Sequence, residues 1–191
     1  MTEKNESALI VVDVQNDFCP GGALPVLDGH KVVPILNDAI SIFDARNAPI
    51  FATRCWHVRE NRVHFKPNGR WPEHCLQSTK GAEFHPDLKL PRNVILISKG
   101  MELDEDAYSP FGGTGLEKQL RENGIKKIWI GGLAFDYCVK AAALDGKKLG
   151  FDVVVFENAS RSVNVSPNDH WNSKVEMWNA GVKIMNFPEF D

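Results

Sequence analysis

Apolar residues in this chain come in short unbroken runs, separated by segments in which they recur at helical spacing. Residues 8–13 (ALIVVD) form the first run, which ends in an acid. Further runs lie at 50–53, 94–98 (VILIS), 128–130, 152–156 (DVVVF) and 182–185. Each has the length of a strand, and runs without alternation indicate burial on both faces. Within 31–46, Val33, Ile35, Leu36, Ile40 and Phe43 follow a helical period. A second helix is expected over 115–122, with Thr114 as its cap and Gly124 ending it. A third begins near Tyr137 and stops at Gly150, and a fourth covers 167–179 after Ser166. Gly131 and Gly132 read as the stop of the fourth strand.

Strands alternating with helices predict an α/β chain with a mainly parallel six-stranded sheet. Right-handed crossovers then give a three-layer α/β/α sandwich. The 191 residues suffice for one domain over 1–191, with no repeat or linker to divide it. In such folds a ligand sits outside the carboxyl ends of the strands. Asp13 ends the first strand, Cys55 follows the second, Lys99 ends the third and Cys138 follows the fourth. Residues 56–92 form a long irregular stretch rich in His, Pro, Gly and Trp, and loops of that length are usually functional.

Composition narrows the classes. Hydrophobic residues make up 43% and charged residues 25%, as in ordinary soluble proteins. The net charge of −3 comes with no basic stripe or polybasic segment, so neither nucleic acid nor a membrane is an expected partner. MTEKNES lacks the apolar centre of a signal peptide, and no run is long enough to span a bilayer. A cytoplasmic location is expected. Cys19, Cys55, Cys75 and Cys138 are scattered, and read as free thiols or ligands in a reducing compartment.

Cys138 falls where a strand turns into a helix. The free N–H groups and positive dipole end there favour a thiolate and can also hold an oxyanion. An inert buried cysteine fits the same pattern. Asp13, leaving a buried strand, is a candidate base whose pKa desolvation raises, with Lys99 countering its charge. A structural Asp–Lys ion pair is the alternative. Cys55, His57, His64 and His74 form a second constellation in TRCWHVRENRVHF and RWPEHC. Cys55-x-His57 is the alternation of an extended segment. Thiolate and imidazole suit zinc, while imidazole, carboxylate and water suit iron or manganese. Solvated loop histidines are the alternative, and Cys75 is a spare ligand. Phe18, Trp71 and Tyr108 offer flat walls for a small aromatic ligand, or ordinary loop packing.

The stretch ALIVVDVQNDFCPGGALPV, the loop TRCWHVRENRVHF, RWPEHC with GAEFHPDL, the strand-end Lys99 and GLAFDYCVKAAALD together resemble a known family. It is the nicotinamidase/pyrazinamidase branch of the isochorismatase-like cysteine hydrolases. The likeness runs in order from about Ala8 to Asn164. It implies a triad of Asp13, Lys99 and Cys138, and an oxyanion hole from the N–H groups of Ala134 and Cys138, with a cis peptide between Leu133 and Ala134. It implies a nicotinamide ring between Phe18 and Trp71, with Tyr108 and Leu133 also at the substrate. It implies one divalent metal, with His57 and His74 as ligands and His64 as a further ligand or neighbour; zinc is expected ahead of iron or manganese, with Cys55 as a fourth ligand. The implied reaction is hydrolysis of nicotinamide to nicotinate and ammonia in NAD salvage, with pyrazinamide as a further substrate. Homo-oligomers are common in the superfamily.

One departure stands out. The family pattern is Asp-x-His where this chain has Cys55-x-His57. Either Cys55 ligates as a thiolate, which shifts the preference toward zinc, or the site binds metal weakly or not at all; retained binding is the expectation. Two rivals remain open. One is a relative acting on another small amide or ureido compound, as in the carbamoylsarcosine and ureidoacrylate branches. The other is a catalytically silent fold-mate that binds a ligand.

Overall fold

Along β1 (Ser7–Val12) successive side chains enter opposite layers. Leu9 and Val11 pack with α1 (Val32–Ala45), which turns Val32, Val33, Leu36, Ala39, Ile40 and Phe43 inward. Ala8, Ile10 and Val12 pack into the other layer. That layer holds Leu116 and Leu120 of α2 (Leu116–Glu122), Ala142 and Ala143 of α3 (Lys140–Lys148) and Met177 of α4 (Asp169–Asn179). A strand apolar on both faces is thus covered on both, and each fully buried Leu, Ile or Val contributes about 1.5–3 kcal/mol. The computed structural model describes residues 5–188.

The remaining strands are β2 (Ile50–Cys55), β3 (Ile95–Lys99), β4 (Lys127–Leu133), β5 (Asp152–Arg161) and β6 (Lys183–Met185). The six form one sheet in the order β3-β2-β1-β4-β5-β6, with every neighbouring pair parallel. The three-layer α/β/α sandwich with a six-stranded sheet is therefore present, and it is parallel throughout. The chain moves outward from β1 to β3 and returns on the other side of β1 as β4. The carboxyl ends of β1 and β4 thus flank the switch point, where a parallel sheet leaves a crevice.

Two expectations change. Gly131 and Gly132 do not stop β4, which continues to Leu133. Their role is close packing. A Cβ on Gly131 would lie 2.9 Å from Leu36 Cδ2, and one on Gly132 (φ +134°) would lie 2.0 Å from the Val12 carbonyl oxygen. The ladder with β5 shifts register between Ile130 and Gly132, so glycine serves a bulge here. The third helix does not begin as a regular α-helix: Phe135–Val139 is a π turn leading into α3. At its far end Gly150 (φ +88°) closes α3, with Gly150 N–H on Lys147 O and Phe151 N–H on Gly146 O. Thr114 Oγ1 accepts the Leu116 N–H at 3.3 Å, while Gly115 holds the cap position.

Candidate active site

Asp13 leaves β1 in the left-handed region (φ 49°), a conformation aspartate tolerates better than most residues. Its N–H still bonds Thr53 O of β2, at 3.1 Å. The side chain then turns into the crevice. Oδ1 accepts the Thr53 hydroxyl at 2.5 Å, and Oδ2 lies 2.8 Å from Lys99 Nζ. Both side chains of the ion pair are fully buried. Lys99 Nζ also reaches Cys55 Sγ at 2.9 Å, Cys138 Sγ at 3.4 Å and Ala107 O at 3.3 Å. The strand ends thus bring Asp13, Lys99 and Cys138 together, with Cys55 as a fourth member.

Burial raises the Asp13 carboxyl to about 6, helped by the charge of Cys55 and opposed by Lys99 and Thr53. Burial alone would lower Lys99; the charges of Asp13, Cys138 and Cys55 outweigh it and hold it well above the usual lysine value. The two thiols titrate as a pair. A hydrogen bond from Cys138, with the charge of Lys99 and the nearby His57, holds Cys55 well below the ordinary thiol range. That same bond, then burial, pushes Cys138 well above it. One negative charge shared by two sulfurs beside an ammonium is the arrangement these directions describe.

Cys138 sits in the π turn, where Val139 N–H bonds Ala134 O at 3.1 Å. The Leu133–Ala134 peptide is cis. Buried Asp136 anchors the turn by accepting the N–H groups of Val163 and Asn164, each at 2.9 Å. A small pocket opens over Cys138, walled by Phe18, Trp71, Tyr108 and Tyr137 with Ala134 at its base. Trp71 Nε1 donates to the Tyr108 hydroxyl at 2.9 Å, and the Trp71 ring meets Tyr137 edge-on with centroids 5.0 Å apart. Leu133 precedes Ala134 across that cis peptide. It is fully buried in the core on the α1 side, behind the cis peptide.

His57, His64 and His74 line up beside this pocket, all buried, with one ring nitrogen of each within 4.8 Å of the others. Every Nδ1 is occupied: His57 by Gly100 O at 3.1 Å, His74 by Pro72 O at 2.8 Å and His64 by the Asp106 carboxylate. Acceptors at Nδ1 fix the tautomer and turn the Nε2 lone pairs toward a common centre. His64 and His74 bring Nε2 atoms within 3.5 Å, and His57 Nε2 is buried without a hydrogen-bond partner among the described residues. Burial lowers His64, and lowers His74 to about 4, so both are neutral ligands near neutral pH. The residues present therefore fit a divalent metal.

Cys55 was expected with these histidines; its sulfur lies in the Asp13–Lys99–Cys138 group and also hydrogen-bonds His57, so it stands between the two groups. Gln15 explains the placement. Its Oε1 accepts the Cys55 N–H and its Nε2 donates to Cys55 O, both at 2.8 Å. This clamp fixes the last residue of β2 so that its side chain enters the crevice. Cys75 lies in neither of the two ligand groups found among the described residues. Sequence reasoning missed Thr53, Gln15, Asp106 and Tyr137. Tyr137, adjacent to Cys138 at the strand-to-helix turn, was the one with a local signal.

A buried acid, a lysine and a thiol at the switch point of a parallel sheet define a cysteine hydrolase of the α/β class. The chain belongs to the isochorismatase domain family, which matches it over residues 7–187. It is 33% identical to the nicotinamidase of Escherichia coli, with 96% of each chain covered. Among solved structures it resembles a Pyrococcus horikoshii pyrazinamidase in complex with zinc, at 47% identity and TM-score 0.90, covering 96% of this chain and 100% of that one. It also resembles an L. infantum protein in complex with nicotinate, at 32% identity and TM-score 0.87, covering 96% and 94%.

Proposed function

We propose that this chain is a nicotinamide amidohydrolase that releases nicotinate and ammonia through a thioester on Cys138. The observation that carries this reading is Lys99 Nζ between Asp13 Oδ2 (2.8 Å) and Cys138 Sγ (3.4 Å), with Cys138 itself lining an aromatic pocket. Similarity to nicotinamidases over nearly the whole chain supports the substrate. The family match from 7 to 187 supports one hydrolase domain over 1–191.

In this reading Asp13 takes the proton of Cys138, and the thiolate attacks the carboxamide carbon. Oxygen charge in the tetrahedral species is met by the N–H groups of Ala134 and Cys138. Protonated Asp13 gives its proton to the amide nitrogen, and ammonia leaves as the thioester forms. Asp13 then deprotonates a water that attacks the thioester, and the sulfur leaves with nicotinate released. Lys99 keeps Asp13 in place throughout and offsets charge on sulfur. Phe18 and Trp71 face the pyridine ring from the pocket walls.

We assign His57, His64 and His74 as the holders of one divalent metal, with zinc favoured by a set of three imidazoles. When bound, that ion supplies an anchor for the ring nitrogen or for a water beside it. Among the described residues no helix is long and apolar enough to cross a membrane. A cytoplasmic role in NAD salvage is part of the same proposal. The deciding test is ammonia release from nicotinamide by the purified protein and its complete loss in Cys138→Ala; a Cys138→Ala protein of full activity overturns the mechanism.

A further inference from the structure

Cys55 is a buried nucleophile that the reaction does not use. The acid–base work falls to Asp13, and the three histidines converge on one another, with only His57 hydrogen-bonded to the Cys55 sulfur. Yet its sulfur lies within 4.8 Å of Cys138 Sγ, and one ammonium, Lys99 Nζ, touches both. Both cysteines also line the pocket through which a substrate must reach Cys138.

We propose that Cys55 is a resolving thiol for Cys138, so that a hydroperoxide converts the pair into a reversible disulfide. In the first step Asp13 takes the Cys138 proton, as it does for the amide, and the thiolate attacks one peroxide oxygen, the proton passing to the departing hydroxide. The O–O bond breaks, one water (for hydrogen peroxide) leaves, and Cys138 becomes a sulfenic acid. In the second step Cys55 attacks the Cys138 sulfur, the S–O bond breaks and a second water leaves. Two thiols and one peroxide give one disulfide and two waters. Hydrogen peroxide is small enough to follow the substrate's route. The sulfurs must close to about 2.05 Å, a movement shared between the end of β2 and the π turn. Lys99 favours the attack by stabilising a thiolate at either sulfur. The disulfide removes the acyl carrier and halts turnover, while it also protects Cys138 from irreversible oxidation to the sulfinic acid. A thiol reductant restores both cysteines. Neither Cys19 nor Cys75 shares a ligand group with Cys138 among the described residues, so neither competes from this distance.

The test is peroxide treatment of the protein as purified, followed by intact mass and peptide mapping without reductant. The expected result is loss of two hydrogens, one linked peptide pair containing Cys55 and Cys138, loss of amidase activity, and full recovery with dithiothreitol. In Cys55→Ala the same treatment is expected to add two or three oxygens to Cys138 with no recovery. Oxygen addition at Cys138 in the native sequence with Cys55 left free overturns the proposal, as does a link from Cys138 to Cys75 or Cys19. Should Cys55→Ala fail to fold, the native peptide map decides alone. That map reads a bond and not a reaction, so its outcome is independent of which amide is the substrate.

Discussion

Thr53 donates its hydroxyl to Asp13 Oδ1 at 2.5 Å, leaving Oδ2 as the oxygen that faces Lys99 and Cys55. A hydrogen bond to a buried carboxylate contributes about 1.5–3 kcal/mol. Thr53→Val keeps the shape and removes the donor. Because this bond lowers the Asp13 pKa, its loss is expected to move the acid limb of the kcat/KM profile to higher pH and to cut kcat/KM below neutrality by about tenfold or more. Thr53→Ser is expected to restore the profile. An unchanged acid limb in Thr53→Val removes the positioning role.

The unaltered enzyme should show the same logic in its own pH profile. Asp13 must be deprotonated to accept the Cys138 proton, and its pKa is raised to about 6. Activity is therefore expected to rise with pH up to about 6 and then level, the reverse of what a general acid would give. Lys99→Met removes the charge that opposes this rise and should push the limb higher still. Ammonia release followed from acid to neutral pH checks both.

Metal retention is predicted to depend on a residue that touches no metal. The Asp106 carboxylate holds His64 through Nδ1. Replacing such a partner costs about 10–100-fold in metal affinity. Asp106→Ala is expected to lose metal during dialysis against a chelator concentration that the native protein withstands. His57→Ala is expected to lose it without chelator. Metal content by plasma emission, measured beside ammonia release, gives the answer, and equal retention in all three proteins refutes the histidine assignment.

Gly131 lets α1 approach the sheet. A Cβ there would lie 2.9 Å from Leu36 Cδ2 and 3.3 Å from Ala159 Cβ. Overpacking of this kind costs about 1–3 kcal/mol. Gly131→Ala is expected to lower the unfolding midpoint by a corresponding amount, and a Leu36→Ala second substitution should recover part of the overpacking cost. Additive losses in the double variant would show that the two positions do not meet.

Most of the fold was legible because strand burial on two faces leaves an unmistakable pattern, as in 8–13, and because Gly150 marks its helix end. Gly131 and Gly132 misled because a glycine stop and a glycine demanded by close packing look alike in one dimension. At the site, Asp13, Lys99 and Cys138 were visible as polar residues at strand ends, and the histidines as a cluster in one long loop. The direction of Cys55 was not visible. It depends on Gln15, forty residues earlier in the chain, gripping both sides of the Cys55 backbone. Thr53 and Asp106 were hidden for a similar reason: each matters through a contact about forty residues away in sequence.

Cys55 and His57 are separated by one residue, and a hydrogen bond between their side chains joins the thiol group to the histidine group. That single intervening position, Trp56, makes the segment a short rigid link between a cation cradle and a thiol centre. Any ion that draws the imidazoles inward must also tug on the strand end that carries the sulfur. Starving the enzyme of metal should thus alter how readily its nucleophile reacts with an alkylating reagent, even when no amide is present.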